Sequence, residues 1–180
     1  IQDDEENRDE VDGYDEALVA YDARGKYDPV KYQGQNHFRD DLLGKYLEGL
    51  RGALGIGGSL MVVIDACHSG TATRSSEFAV TRGDPLPFAS PEYKPVLTAS
   101  LGRSTKAEGF MSASPLGVSN MVVFSASSPN QVNYETRDAE GNGVGSLSYA
   151  IARALQRMGT KTSYGDLFSQ VKSLIQSDYP

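Results

Sequence analysis

Tryptophan is absent from this sequence, cysteine occurs once and histidine twice. A single Cys excludes any disulfide within the chain, so Cys67 is not a framework residue. The ordinary state of such a residue is a small buried hydrophobe. Lack of disulfide potential fits the cytoplasm, which is the expected compartment. No apolar run approaches the ~20 residues that a membrane-spanning helix needs, so no membrane partner is expected. The longest, residues 60–64, has the length of a strand. Basic side chains are the minority, 17 against 24 acidic ones, for a net charge of −7. That balance argues against a nucleic-acid partner and for a cationic one, either a metal ion or a basic peptide.

What is present suits one globular domain: 180 residues, 39% of them hydrophobic. Residues 1–16 are rich in Asp and Glu, the composition of a solvated loop or tail, and residues 17–21 follow like a short strand. Residues 22–35 read as loop. Phe38, Leu42, Leu43, Tyr46, Leu47, Leu50 and Leu54 recur at three and four, which predicts an amphipathic helix over 38–54. Asn36 is its candidate N-cap, and Gly55, Gly57 and Gly58 end it. Residues 60–64 then form a continuous apolar strand of the kind buried on both faces of a sheet. Residues 71–120 are rich in Ser, Thr, Pro, Gly and Ala, and only 95–100 resemble a strand within them. A second buried strand is expected over 121–126, then a polar loop to Gly145 and helices over 146–158 and 163–177. This order indicates a mainly parallel α/β sheet.

Reactive groups in open α/β sheets gather beyond the carboxyl ends of strands, and Cys67 lies two residues past Asp65 in that position. Ala66, Ser69 and Gly70 are small. They let a substrate backbone approach and leave amide N–H groups, that of Cys67 included, to stabilise an oxyanion. Asp65 shares a face with Cys67 by alternation, where its carboxylate would suit a guanidinium or ammonium.

Asp65-Ala66-Cys67-His68-Ser69-Gly70 resembles the Asp-x-Cys-His-Ser-Gly signature of metacaspases and their bacterial relatives among the caspase-like cysteine peptidases. The likeness extends along the chain. Residues 9–16 are similar to the acidic segment after the family's catalytic His-Gly, and Asp40-Asp41 resembles the acidic pair opening the helix before the nucleophile strand. Phe124-Ser125-Ala126-Ser127 with Gln131 and Glu135 looks like the small-subunit strand and its substrate loop, and Gly145-Ser146-Leu147-Ser148 like the start of the next helix.

The resemblance implies a caspase-like three-layer sandwich with a mainly parallel sheet flanked by helices, here truncated at both ends. Residues 1–74 would be the end of a large-subunit-like part, 75–120 a flexible intersubunit-like region and 121–180 a small-subunit-like part. It implies a cysteine endopeptidase that cuts after Arg or Lys, with Cys67 as nucleophile and Asp65 lining an acidic pocket. Ser125, Ala126 and Ser127 would line the substrate groove. The catalytic His would belong to a His-Gly pair before Ile1, carried by the other fragment of the same precursor. His68 adjoins Cys67 and diverges from it, and His37 matches no family motif, so a surface or capping role is expected for it. Arg74, Arg82, Lys94, Arg103 and Lys106 are candidate self-cleavage sites, against ordinary surface charge as the other reading.

No cofactor is needed for the chemistry, but the resemblance suggests an activating Ca²⁺ held by Asp15, Asp40 and Asp41. The fourth family ligand falls on Arg74, so this site is rebuilt, weakened or lost. Three other readings stay open: a catalytically inactive caspase-like scaffold or regulatory domain, an acidic calcium-binding module, and a redox-sensing thiol.

Overall fold

The computed structural model describes residues 1, 13–66, 82–83, 87–95, 117–127, 133–159 and 161–178. Cys67, His68, Arg74, Gln131, most of the acidic run and most of 71–120 lie outside the described residues. The chain divides into two compact units, the first of residues 1–60 and 86–120, the second of 61–85 and 121–180.

In the first unit, β1 (Ala17–Val19) pairs antiparallel with β2 (His37–Arg39), Leu18 opposite Phe38. Helix α1 (Asp40–Leu54) follows without a break. Phe38 therefore belongs to a strand and not to the helix. Arg39, extended at φ −64° and ψ 148°, is the N-cap in place of Asn36. The Asn36 amide is spent elsewhere, donating to the Asp22 carbonyl at 3.4 Å. No side chain caps α1, but Asp40 and Asp41 in its first turn complement the helix dipole. Gly55 ends the helix at φ 65°, a conformation that favours glycine.

Arg51, only 3% exposed, fastens the end of α1. Its Nε donates to the Ser119 carbonyl at 3.0 Å, and the Ser119 N–H donates to the Arg51 carbonyl at 3.1 Å. His37 is half-buried, contrary to the surface or capping role expected of it. Its ring lies 4.3 Å from that of Phe88, and its Nδ1 is 3.2 Å from the Tyr32 hydroxyl. The cause is its place in β2, which carries the ring into an aromatic group with Tyr32 and Phe88.

Strands β3 (Ser59–Ile64) and β4 (Asn120–Ser125), which lie in the second unit from Met61 and Met121 on, form a parallel pair. Along β3 exposure alternates, with Met61 and Val63 each 37% exposed, so the expected burial on both faces is not observed. Successive strand side chains point to opposite faces, and here Leu60, Val62 and Ile64 on one face are half-buried while Ser59, Met61 and Val63 on the other are exposed. Within the expected polar loop lies a hairpin, β5 (Glu135–Arg137) against β6 (Gly143–Gly145). Asp138 closes its turn: Oδ1 accepts from the N–H groups of Glu140 and Asn142 at 3.0 and 2.8 Å. Gly141 takes φ 86° there.

Helix α2 (Ser146–Arg157) buries Leu147, Ala150, Ile151 and Ala154, the spacing of one helical face. Helix α3 (Tyr164–Asp178) contributes Leu167, Val171 and Leu174, and β4 contributes Phe124, to the same core. Ser163 starts α3, accepting the Asp166 N–H at 3.1 Å and donating to its Oδ2 at 2.7 Å. Strands, helices and the parallel pair make the α/β fold anticipated from the sequence. Among the described residues no helix is long and apolar enough to cross a membrane.

Candidate active site

Because β3 and β4 are parallel, their carboxyl ends finish on the same side of the sheet. The pairing continues past the strands. The Ala126 N–H donates to the Ile64 carbonyl at 3.0 Å, and the Ser127 hydroxyl donates to the Ala66 carbonyl at 3.0 Å. Ser125 Oγ donates to the Ser127 carbonyl at 2.8 Å, which ties the small-residue run to itself. Ser125, Ala126 and Ser127 are thus brought beside Asp65 and Ala66, the two residues that lead to Cys67. The Ser127 hydroxyl braces the Asp65-Ala66 main chain, and the Ser125 hydroxyl braces Ser127.

Asp65 is the hub. Its Oδ1 accepts the Asn133 Nδ2 at 2.7 Å, and its Oδ2 accepts the Ser148 N–H at 2.8 Å. Ser148 lies in the first turn of α2, a helix with neither a side-chain cap nor an acidic residue in that turn. The Asp65 carboxylate therefore satisfies that helix end from a distant part of the chain. Gly145 makes the approach feasible, since a Cβ at that position would collide with the carboxylate.

Arg82 completes the group. Its Nε donates to the Asp65 carbonyl at 2.8 Å and stands 3.7 Å from Oδ1, while its Nη1 is 3.4 Å from Glu135 Oε1. The Arg82 N–H donates to the Asn133 carbonyl at 3.1 Å. The Asp65 side chain is 6% exposed, against 29% for Arg82 and 37% for Glu135, so an anion is buried with partly open neighbours. Burial pushes the Asp65 carboxyl up, but the hydrogen bonds from Ser148 and Asn133 and the Arg82 charge outweigh it. Its pKa lies below the ordinary value, and Asp65 is ionised at neutral pH.

Asp15, Asp40 and Asp41 fall in the first unit. Asp15 is buried, its Oδ2 3.2 Å from the Arg39 Nε. Burial, then the charges of Glu16 and Asp41, push the Asp40 carboxyl up to about 6. Among the described residues no three acidic, His or Cys side chains form a group able to hold a metal ion. The Asp15 carboxylate faces the Arg39 guanidinium.

Of the residues grouped around this carboxylate, Asp65 was identifiable from its spacing to Cys67. Arg82 stood out only as one basic residue among five in a loop-like stretch, and Asn133 carried no signal of its own. The Gly145–Ser148 segment was recognisable as a helix start, without any hint that it meets Asp65.

The caspase-domain family model matches residues 2–179. The chain belongs to that family. It is thereby a member of a class of cysteine-type peptidases, hydrolases of the peptide bond. No curated protein and no solved structure matches the chain.

Proposed function

We propose that this domain is a metacaspase-like endopeptidase that cleaves after Arg or Lys. Cys67, directly after the braced Asp65-Ala66 turn, acts as nucleophile. Its thiolate attacks the scissile carbonyl, and the oxyanion is stabilised by backbone N–H donors including that of Cys67. A histidine imidazolium gives the leaving amine its proton. Water then hydrolyses the acyl-enzyme.

The observation that carries the specificity is the position of Arg82. Its guanidinium is held between the Asp65 main chain and carboxylate on one side and the Glu135 carboxylate on the other. A site that takes the chain's own guanidinium has the charge and donor-acceptor pattern for a substrate's Arg or Lys. In this reading the substrate's basic side chain exchanges with Arg82. Self-cleavage after basic residues of 71–120 follows from the same preference.

The test uses the intact protein with fluorogenic peptides that differ only in ending in Arg, Lys, Asp or Leu. Cleavage of the Arg and Lys peptides is expected, abolished in Cys67→Ala, together with labelling of Cys67 by an Arg chloromethylketone. Cleavage that persists in Cys67→Ala, or a preference for Asp, overturns the reading. Failure of both cleavage and labelling points to a catalytically inactive scaffold.

Calcium activation is a separate proposal. The Asp40 carboxyl, raised by burial and then by Glu16 and Asp41, is the group that a cation would relieve, whereas Ca²⁺ must displace Arg39 to reach Asp15. Activity of chelator-treated protein should rise on adding Ca²⁺ and not in Asp40→Asn. Equal activity with and without Ca²⁺ excludes calcium activation.

A further inference from the structure

The Asp65 carboxylate is set by a neighbour that comes from a separate part of the chain. Asn133 is 5% exposed, and its amide has a single orientation that satisfies both contacts. Nδ2 must face the ionised Asp65, which only accepts, at 2.7 Å. That leaves Asn133 Oδ1 to accept the Ser146 hydroxyl at 3.1 Å. Ser146 is the first residue of α2, and Ser148 two positions later donates its N–H to the other Asp65 oxygen. One helix end therefore grips the carboxylate directly through Ser148 and indirectly through Ser146 and Asn133. Asn133 also accepts the Arg82 N–H on its carbonyl, so it touches both the buried anion and the segment bearing the cation.

We propose that Asn133 is a positioning residue for basic-side-chain selectivity, acting by holding the Asp65 carboxylate in one rotamer as a fixed anion. This rests on the specificity reading given above. Without the Nδ2 donor, Oδ1 loses its shortest contact and the carboxylate turns about its Ser148 anchor. A guanidinium gains most from a carboxylate whose orientation is already fixed. Binding of the basic residue then weakens while the chemistry at Cys67 is left nearly as it was.

The experiment compares Asn133→Ala, Ser146→Ala and Asp65→Asn with the unaltered intact protein. Separate KM and kcat values are measured for the Arg-ended peptide, and thermal unfolding is followed in parallel. Asn133→Ala should raise KM about tenfold with kcat changed by less than about threefold. Ser146→Ala, which removes only the hydroxyl that orients the amide, should shift KM the same way by about two- to threefold. It keeps the proposal falsifiable if Asn133→Ala does not fold. Should Asp65→Asn lose Arg cleavage while Asn133→Ala and Ser146→Ala keep the original KM, the positioning role is overturned and the specificity reading stands. A fall in kcat with KM unchanged overturns the positioning role in the same way. Absence of Arg or Lys cleavage by the unaltered protein overturns both.

Discussion

The Ser127 hydroxyl donates a 3.0 Å hydrogen bond to the carbonyl of Ala66, the residue immediately before Cys67. A bond of 61 residues' separation thus pins the main chain just before Cys67 to the end of the neighbouring strand. Ser127 is 5% exposed, and removing its hydroxyl takes this donor away from the half-buried Ala66 carbonyl. Ser127→Ala should destabilise the protein by about 1 kcal/mol in urea unfolding and lower kcat more than it raises KM. A kcat equal to that of the unaltered protein would show that the turn does not need this brace.

Arg82 and a basic substrate compete for the same carboxylates if the proposed exchange operates. Arg82→Gln should lower KM for the Arg-ended peptide by about three- to tenfold, since a neutral amide competes weakly for a carboxylate. Kinetics at one fixed pH suffice to read this. A KM that rises instead would mean that Arg82 braces Asp65 and leaves no exchangeable site.

Asp40 gives a pH dependence of definite sign. Its folded-state pKa is raised to about 6 from 3.8. The native state therefore holds the proton more tightly than the unfolded chain, and the stability this contributes is present below 3.8 and lost as pH rises through 6. Partial exposure screens the effect, so its size is about 1 kcal/mol. Asp40→Asn should leave stability near pH 4 almost unchanged and raise it above pH 7, measured by thermal or urea unfolding across pH. The opposite order would show that the charge of Asp40 is favourable in the fold.

Asp65 has the opposite sign. Its folded-state pKa is lowered, so its contribution is present above the unfolded value and fades as pH falls through the folded one. Asp65→Asn should cost stability at neutral pH and progressively less in acid, where the original residue has also lost its charge. A pH-independent difference in denaturant midpoints would contradict this assignment.

Arg51 is a purely structural case. Its buried Nε and its own main chain hold both main-chain polar groups of Ser119. Arg51→Ala should cost about 3 kcal/mol in urea unfolding, while KM for the Arg-ended peptide stays within about twofold in the folded fraction.

Much of this was readable along the chain because the relevant forces act locally. The three- and four-residue spacing of apolar side chains announced α1, and Gly55 announced where α1 ends. Asp65 was legible because alternation along an extended chain relates it to Cys67. The start of α1 was misplaced by two residues, because cross-strand pairing with Leu18 draws Phe38 into β2. The β5–β6 hairpin escaped notice since Glu135–Arg137 and Gly143–Gly145 have no apolar alternation, and their pairing is decided by the Asp138 turn.

What the sequence by itself determined is the family resemblance, carried by Asp65-Ala66-Cys67-His68-Ser69-Gly70 after an apolar strand, with an Asp two residues before a lone Cys. Those are short-range relations, set by covalent order and backbone periodicity. Only the tertiary structure decided which groups surround that Asp. Asn133, Ser148 and Arg82 lie 68, 83 and 17 residues away from it. A buried carboxylate takes whatever donors the packing of strand ends against a helix terminus brings within reach, and no pattern in the chain announces that choice.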